Sequence, residues 1–158
     1  MRYQLKKGKL KELGYKLTFL FSIIILIDFF YPGTPYNETI IDIKREKQQY
    51  YNAGGNSHSS YRIFTHKHNF TTTTNFAKSV KKNQTISYVI SPIFQEVNSH
   101  FTNKSNKNLH SLRLFSGLIM PAFIILIILG SQKFKWKIEN LIFILQILLI
   151  GNLFFLMN

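Results

Sequence analysis

The chain has 158 residues, no cysteine, 20 Lys+Arg against 7 Asp+Glu for a formal charge of +13, and 46% apolar against 17% charged residues. Without cysteine there is no disulfide framework, no thiolate nucleophile and no Cys-ligated zinc or iron–sulfur centre. The apolar residues crowd into three blocks instead of spreading as one soluble core would, which excludes a simple soluble enzyme.

Residues 1–12 form a basic tail carrying Arg2, Lys6, Lys7, Lys9 and Lys11, and Lys16 follows shortly after. The first apolar block, LTFLFSIIILI, runs over 17–27. A basic stretch before a short apolar run also opens a cleavable secretory signal, but cleavage needs small residues where the run ends. Here the run exits through Asp28-Phe29-Phe30-Tyr31-Pro32, all bulky or rigid after the acid, so 13–31 is expected as an uncleaved signal anchor. Tyr15 and Tyr31 fall where the two membrane interfaces would lie. Asp28 sits about one turn from the outer end and, with no second buried ionisable group expected beside it, reads as a boundary residue rather than part of a proton relay.

The polar segment 32–111 comes next. Pro32-Gly33-Thr34-Pro35 reads as a stiff linker, 39–43 as a short β-branched strand, and Ala53-Gly54-Gly55-Asn56-Ser57 as a turn. Strands are expected at 61–65 and 70–74, with Asn75 as the N-cap of a short helix over 76–82. Asn83-Gln84 turns the chain into the clearest strand, 85–91, where Ile86, Tyr88 and Ile90 alternate with polar residues until Pro92. The stretch 98–108 reads as a loop. The sum is a small α+β unit of three or four strands and one helix, its core drawn from Ile41, Ile43, Tyr61, Ile63, Phe64, Phe76, Val80, Ile86, Tyr88 and Ile90. So small a core stabilises weakly by itself, so docking on a partner or a membrane surface is expected.

Two further blocks, 114–132 and 140–158, run 19 residues each without a charge. A spanning helix needs roughly 20 apolar residues, and in lipid a helix satisfies every backbone amide within the segment. Spans are therefore expected at 112–130 and 139–158, joined by a connector at 131–138 bearing Lys133, Lys135 and Lys137. Lysine and arginine density beside the spans puts the N-terminus and connector inside, and 32–111 and the C-terminus outside; long segments translocate largely regardless of charge. The expected fold class is a membrane protein with three transmembrane α-helices and a small α+β extracytoplasmic domain between the first and second. The expected location is a bacterial inner membrane, with the lipid bilayer as one partner. The cation excess then reads as a topology signal, and with no helix-turn-helix, zinc-finger or RNA-stacking motif no nucleic-acid partner is expected.

Polar and small residues inside the spans mark candidate helix-packing positions: Gln146 in mid-span, Asn152 beside Gly151, Gly117 beside Ser116, and Pro121 as a kink. All five histidines (58, 66, 68, 100, 110) lie in the exported segment. On a strand His66 and His68 would share a face, a spacing that suits zinc or copper if Asp42, Glu46 or Glu96 came near. With Lys67 between them, Asn69 after them and no defined third ligand, ordinary loop histidines are the favoured reading, and neither a metal nor a cofactor is expected. Glu38, Asp42, Glu46 and Glu96 show no pairing pattern, Ser57-His58-Ser59 lacks the glycines of a nucleophile elbow, and Gly54-Gly55 lacks the lysine of a phosphate loop. No catalytic residue is expected, and the sequons at Asn37, Asn69, Asn83 and Asn103 are assigned no function. The expectation is a non-enzyme that acts by binding, an accessory or assembly subunit of an envelope membrane complex with a membrane or envelope protein partner. The alternatives are an extracytoplasmic sensor or carrier of a ligand or metal, and a membrane-bound enzyme acting on lipid or cell-wall material.

Overall fold

Long apolar stretches have few ways to satisfy their backbone, and all three blocks are helical. The computed structural model describes residues 2–49, 57–102, 111–134 and 138–157. Helix α1 spans Arg2–Phe30, strands β1 Thr34–Thr39, β2 Asp42–Gln49, β3 Ser57–Phe64 and β4 Asn69–Thr72 follow, then helix α2 Thr74–Ser79, β5 Thr85–Ile90 and β6 Val97–Phe101. Helix α3, Ser111–Leu114, passes through a π-helical turn, Phe115–Ile119, into α4, Met120–Phe134; α5 is Glu139–Leu156. The chain divides into a helical unit, Met1–Tyr31 with Leu112–Asn158, and a sheet unit, Pro32–Ser111.

Among the described residues of the helical unit three helices are long and apolar enough to cross a membrane: Lys11–Phe30, Leu112–Phe134 and Glu139–Leu156. Thr18, Ser22, Ile25 and Asp28 of α1, Ile124 and Ile128 of α4, and Ile142, Leu145, Leu149 and Leu156 of α5 are buried, while Leu126, Phe143, Ile147 and Phe154 face outward. The first helix begins at Arg2, so the backbone of the basic tail is continuous with the apolar stretch. At the other boundary α4 carries on through Ser131–Phe134, four residues into the expected connector. That stretch contains neither glycine nor proline, and Ser131 Oγ donates back to the Ile128 carbonyl at 2.9 Å. The connector lysines Lys135 and Lys137, the Gly54-Gly55 turn, the Asn103 sequon and His110 fall outside the described residues.

The sheet unit holds two antiparallel three-stranded sheets, ordered β1-β5-β6 and β2-β3-β4. Among the described residues there are six strands, where three or four were expected. The supposed linker is β1, and its Pro35 lies on an edge strand, where a missing N–H costs no ladder bond. The expected strand at 39–43 breaks in the middle: Ile40 N bonds the Gln84 carbonyl and Ile41 N bonds the Phe64 carbonyl, so the chain switches sheets between them. That corner buries Ile40 and leaves Ile41 exposed. The loop expected from 98 instead begins as β6, paired with β5 across a bulge at Val89/Ile90. Helix α2 starts two residues early, capped by Thr73, whose Oγ1 accepts from Phe76 N at 3.3 Å, rather than by Asn75. Asn83 takes a left-handed φ of 66°, which its short polar side chain tolerates, and turns the chain into β5. The core is Ile40, Ile63, Phe70, Phe76, Val80, Ile86, Tyr88 and Ile90, with Tyr36, Ile43 and Val97 against it. Tyr61 and Phe64, both expected inside, are half-buried.

Candidate functional site

Among the described residues each unit carries a cluster of polar groups joined across elements. In the helical unit the cluster centres on Asp28 and Arg113, 0% and 4% exposed, with Arg113 Nη2 donating to Asp28 Oδ2 at 2.8 Å. Asp28 is thus not the isolated boundary residue expected from sequence: its ionisable companion is the arginine at the start of the second long apolar helical stretch. A buried carboxylate is tolerable when a cation and hydrogen bonds neutralise it, and the bidentate-capable guanidinium suits that role. The guanidinium also lies 5.5 Å from the centre of the Phe29 ring. Gly117 leaves room for both groups, since a Cβ there would come 2.5 Å from Phe29 Cδ2 and 3.3 Å from Arg113 Nη1.

One turn further along, the π-helical turn and Pro121 act together. Met120 N donates to the Phe115 carbonyl, five residues back. Continuing that register, residue 121 would donate to the Ser116 carbonyl, but proline has no N–H. Asn152 of α5 replaces it, its Nδ2 donating to the Ser116 carbonyl at 2.9 Å. Pro121 and Asn152, both singled out in the sequence, therefore act at one contact between the second and third apolar helices, while Gly117, also singled out, faces Phe29 of the first. Gln146 lies apart from them and half-buried, with its Nε2 3.2 Å from where a Cβ on Gly14 would stand. Beyond it Lys11 pairs with Glu139. Sequence reasoning missed Arg113 although it falls within the expected span 112–130. It also missed the four-residue spacing of Gly14, Thr18 and Ser22, whose hydroxyls bond back to the Gly14 and Thr18 carbonyls at 2.8 and 2.9 Å.

In the sheet unit the cluster centres on the Tyr88 hydroxyl. It donates to Glu38 Oε2 at 2.8 Å and lies 2.8 Å from His68 Nδ1 and 3.2 Å from Thr65 Oγ1. Glu38 comes from β1 and Tyr88 from β5, while Thr65 and His68 belong to the β3–β4 turn, so the hydroxyl ties that turn to the other sheet. Tyr36 stacks on Tyr88 at 5.6 Å and meets the His68 ring edge-on at 4.8 Å, with Lys67 Nζ 5.4 Å from its own ring centre. Burial pushes the Tyr88 hydroxyl up to about 12, the Glu38 carboxylate adding to the rise. For Glu38 burial acts upward, but hydrogen bonds from Thr65, Tyr88 and the Lys67 backbone, with the Lys67 charge, outweigh it and hold the carboxyl below its ordinary range.

No family model, curated protein or solved structure matches this chain.

His66 and His68 do not project from one strand face: both lie in the turn between β3 and β4, His66 exposed and His68 half-buried against Tyr88. Of the acids that could have joined them, Glu46 pairs with Arg62 Nε at 3.2 Å and Asp42 Oδ1 accepts from Ile43 N at 2.9 Å. Among the described residues no three histidines or acids gather as a metal cage. His100, read as part of a loop, is 1% exposed in β6, its Nε2 2.7 Å from Thr72 Oγ1 and its ring against Phe70 and Phe76. Chemically, the first cluster locks helices together, and the second locks two sheets together while presenting one histidine at a turn.

Proposed function

We propose that this chain is a small integral membrane protein of a bacterial envelope that acts by binding, an accessory or assembly subunit whose three helices anchor it and whose sheet unit meets a partner outside the membrane. The observation that carries this reading is the closed interior of the helical unit. Among the described residues its buried Asp28 and Arg113 neutralise each other, and the carbonyl that Pro121 leaves without a donor is filled by Asn152. The Thr18, Ser22, Ser116 and Ser131 hydroxyls bond back to carbonyls of their own helical segments, and the large buried hydrophobic side chains are isoleucine and leucine. Such an interior suits a scaffold, because a transport path needs polar groups left for cargo or protons. The six-stranded sheet unit, with a core of eight buried residues, is small enough that a partner would add appreciably to its stability. Purification of the full chain from native membranes in mild detergent should bring down one protein in stoichiometric amount; a lone monomer that retains full stability would overturn the proposal.

A further inference from the structure

The hydrogen-bond inventory at Tyr88 fixes something that neither sequence spacing nor ligand counting reveals, the tautomer of His68. Tyr88 has one hydroxyl proton and donates it to Glu38 Oε2. The single Thr65 hydroxyl proton has the His68 carbonyl, at 2.8 Å, and the Glu38 carboxylate as acceptors. The 2.8 Å contact between His68 Nδ1 and the Tyr88 oxygen can then be a hydrogen bond only if Nδ1 carries the proton. In a neutral imidazole the other nitrogen is then a bare lone pair, and among the described residues nothing hydrogen-bonds His68 Nε2. A fixed Nδ1–H donor with an open Nε2 is the arrangement of a metal-ligating histidine, whose second nitrogen is held by an outer group that orients the ring and raises its basicity. Here that outer group is a tyrosine itself backed by a carboxylate, and His66 stands two residues away, exposed, in the same turn.

We infer that the β3–β4 turn is an open site for a late first-row divalent ion such as Zn2+ or Cu2+, with His68 Nε2 as its anchoring ligand, His66 as its second protein ligand and water in the remaining positions. Imidazole nitrogen suits these ions and discriminates against Mg2+ and Ca2+. Two protein ligands make the site exchangeable, unlike the closed four-ligand sites that hold a fold together. The inference stands apart from the accessory-subunit reading: a subunit without a metal, or a metal-binding protein without a partner, would each leave the other intact.

The test uses the full chain in detergent micelles with its five histidines labelled with 15N. In the metal-free wild type, the His68 ring should show a protonated Nδ1 and a bare Nε2, and addition of Zn2+ alone should shift that Nε2 resonance. His68→Ala should abolish the specific binding, and Tyr88→Phe should weaken it about 10–100-fold and return the ring to the ordinary Nε2–H tautomer. A wild-type His68 protonated at Nε2, or Zn2+ binding that survives His68→Ala undiminished, would overturn the inference. The tautomer is read on the unmodified chain, so a Tyr88→Phe variant that failed to fold would leave the decision with that spectrum.

Discussion

Asp28 and Arg113 make up a unit whose halves are worth little apart. Removing one partner from a buried pair leaves an uncompensated charge, at a cost of about 3–5 kcal/mol, whereas replacing both by apolar groups of similar volume is often close to neutral. Arg113→Leu and Asp28→Leu should each lower the unfolding temperature of the full chain in micelles by many degrees, and the double variant should recover most of the loss. If the two single losses simply add, the pair is not acting as one. In the sheet unit Glu38 gives a pH signature. Its carboxyl titrates lower folded than unfolded, so as acid is added the unfolded chain takes up the proton first. The stabilisation is complete above about 4.5 and is lost as pH falls through and below that value. Thermal unfolding followed from pH 7 to 3 should show that loss, and Glu38→Gln should flatten it. Neither effect was legible residue by residue: Asp28 and Arg113 stand 85 positions apart, Glu38 and Tyr88 stand 50 apart, and no periodicity connects them.

Local patterns set the elements well where one force dominated. The alternation of Ile86, Tyr88 and Ile90 specified β5 and its inward face, all three being buried. The short helix was legible too, but its start was misplaced because Thr73 and Asn75 are both good caps and only the packing of Phe76 and Ala77 decides between them. At 39–43 five residues with strand character straddle a corner, and composition does not say which of two adjacent isoleucines turns inward. The π-helical turn is the clearest case of an element corrected from outside itself. Asn152→Leu should cost about 0.6–1.7 kcal/mol in helix-association stability, the range for polar contacts between apolar helices. In a Pro121→Ala background, where residue 121 regains its N–H, that cost should shrink towards zero. A double-mutant cycle measures the coupling, and strict additivity would show that Asn152 does not stand in for the missing donor.

At the scale of the molecule, the proposed threading puts the N-terminus and connector in the cytoplasm and both 32–111 and the C-terminus outside. A reporter active only in the cytoplasm should therefore be silent when fused after Met157 and active when fused at Lys133; the reverse pattern would invert the topology. The helices long and apolar enough to span, three among the described residues, were already written in the chain, because in lipid a mainly apolar stretch of about twenty residues leaves the backbone no partner but itself. A small unit containing sheet between the first and second helical blocks was legible for a similar reason, since alternation and turn residues act over a few positions. Which charges meet did not follow from the sequence. The ion pair of Asp28 with Arg113, the donor that Asn152 lends to Ser116, and the chain from Glu38 through Tyr88 to His68 join residues from different elements. Their energies depend on burial and on distances of about 3 Å, and only the packed chain fixes those.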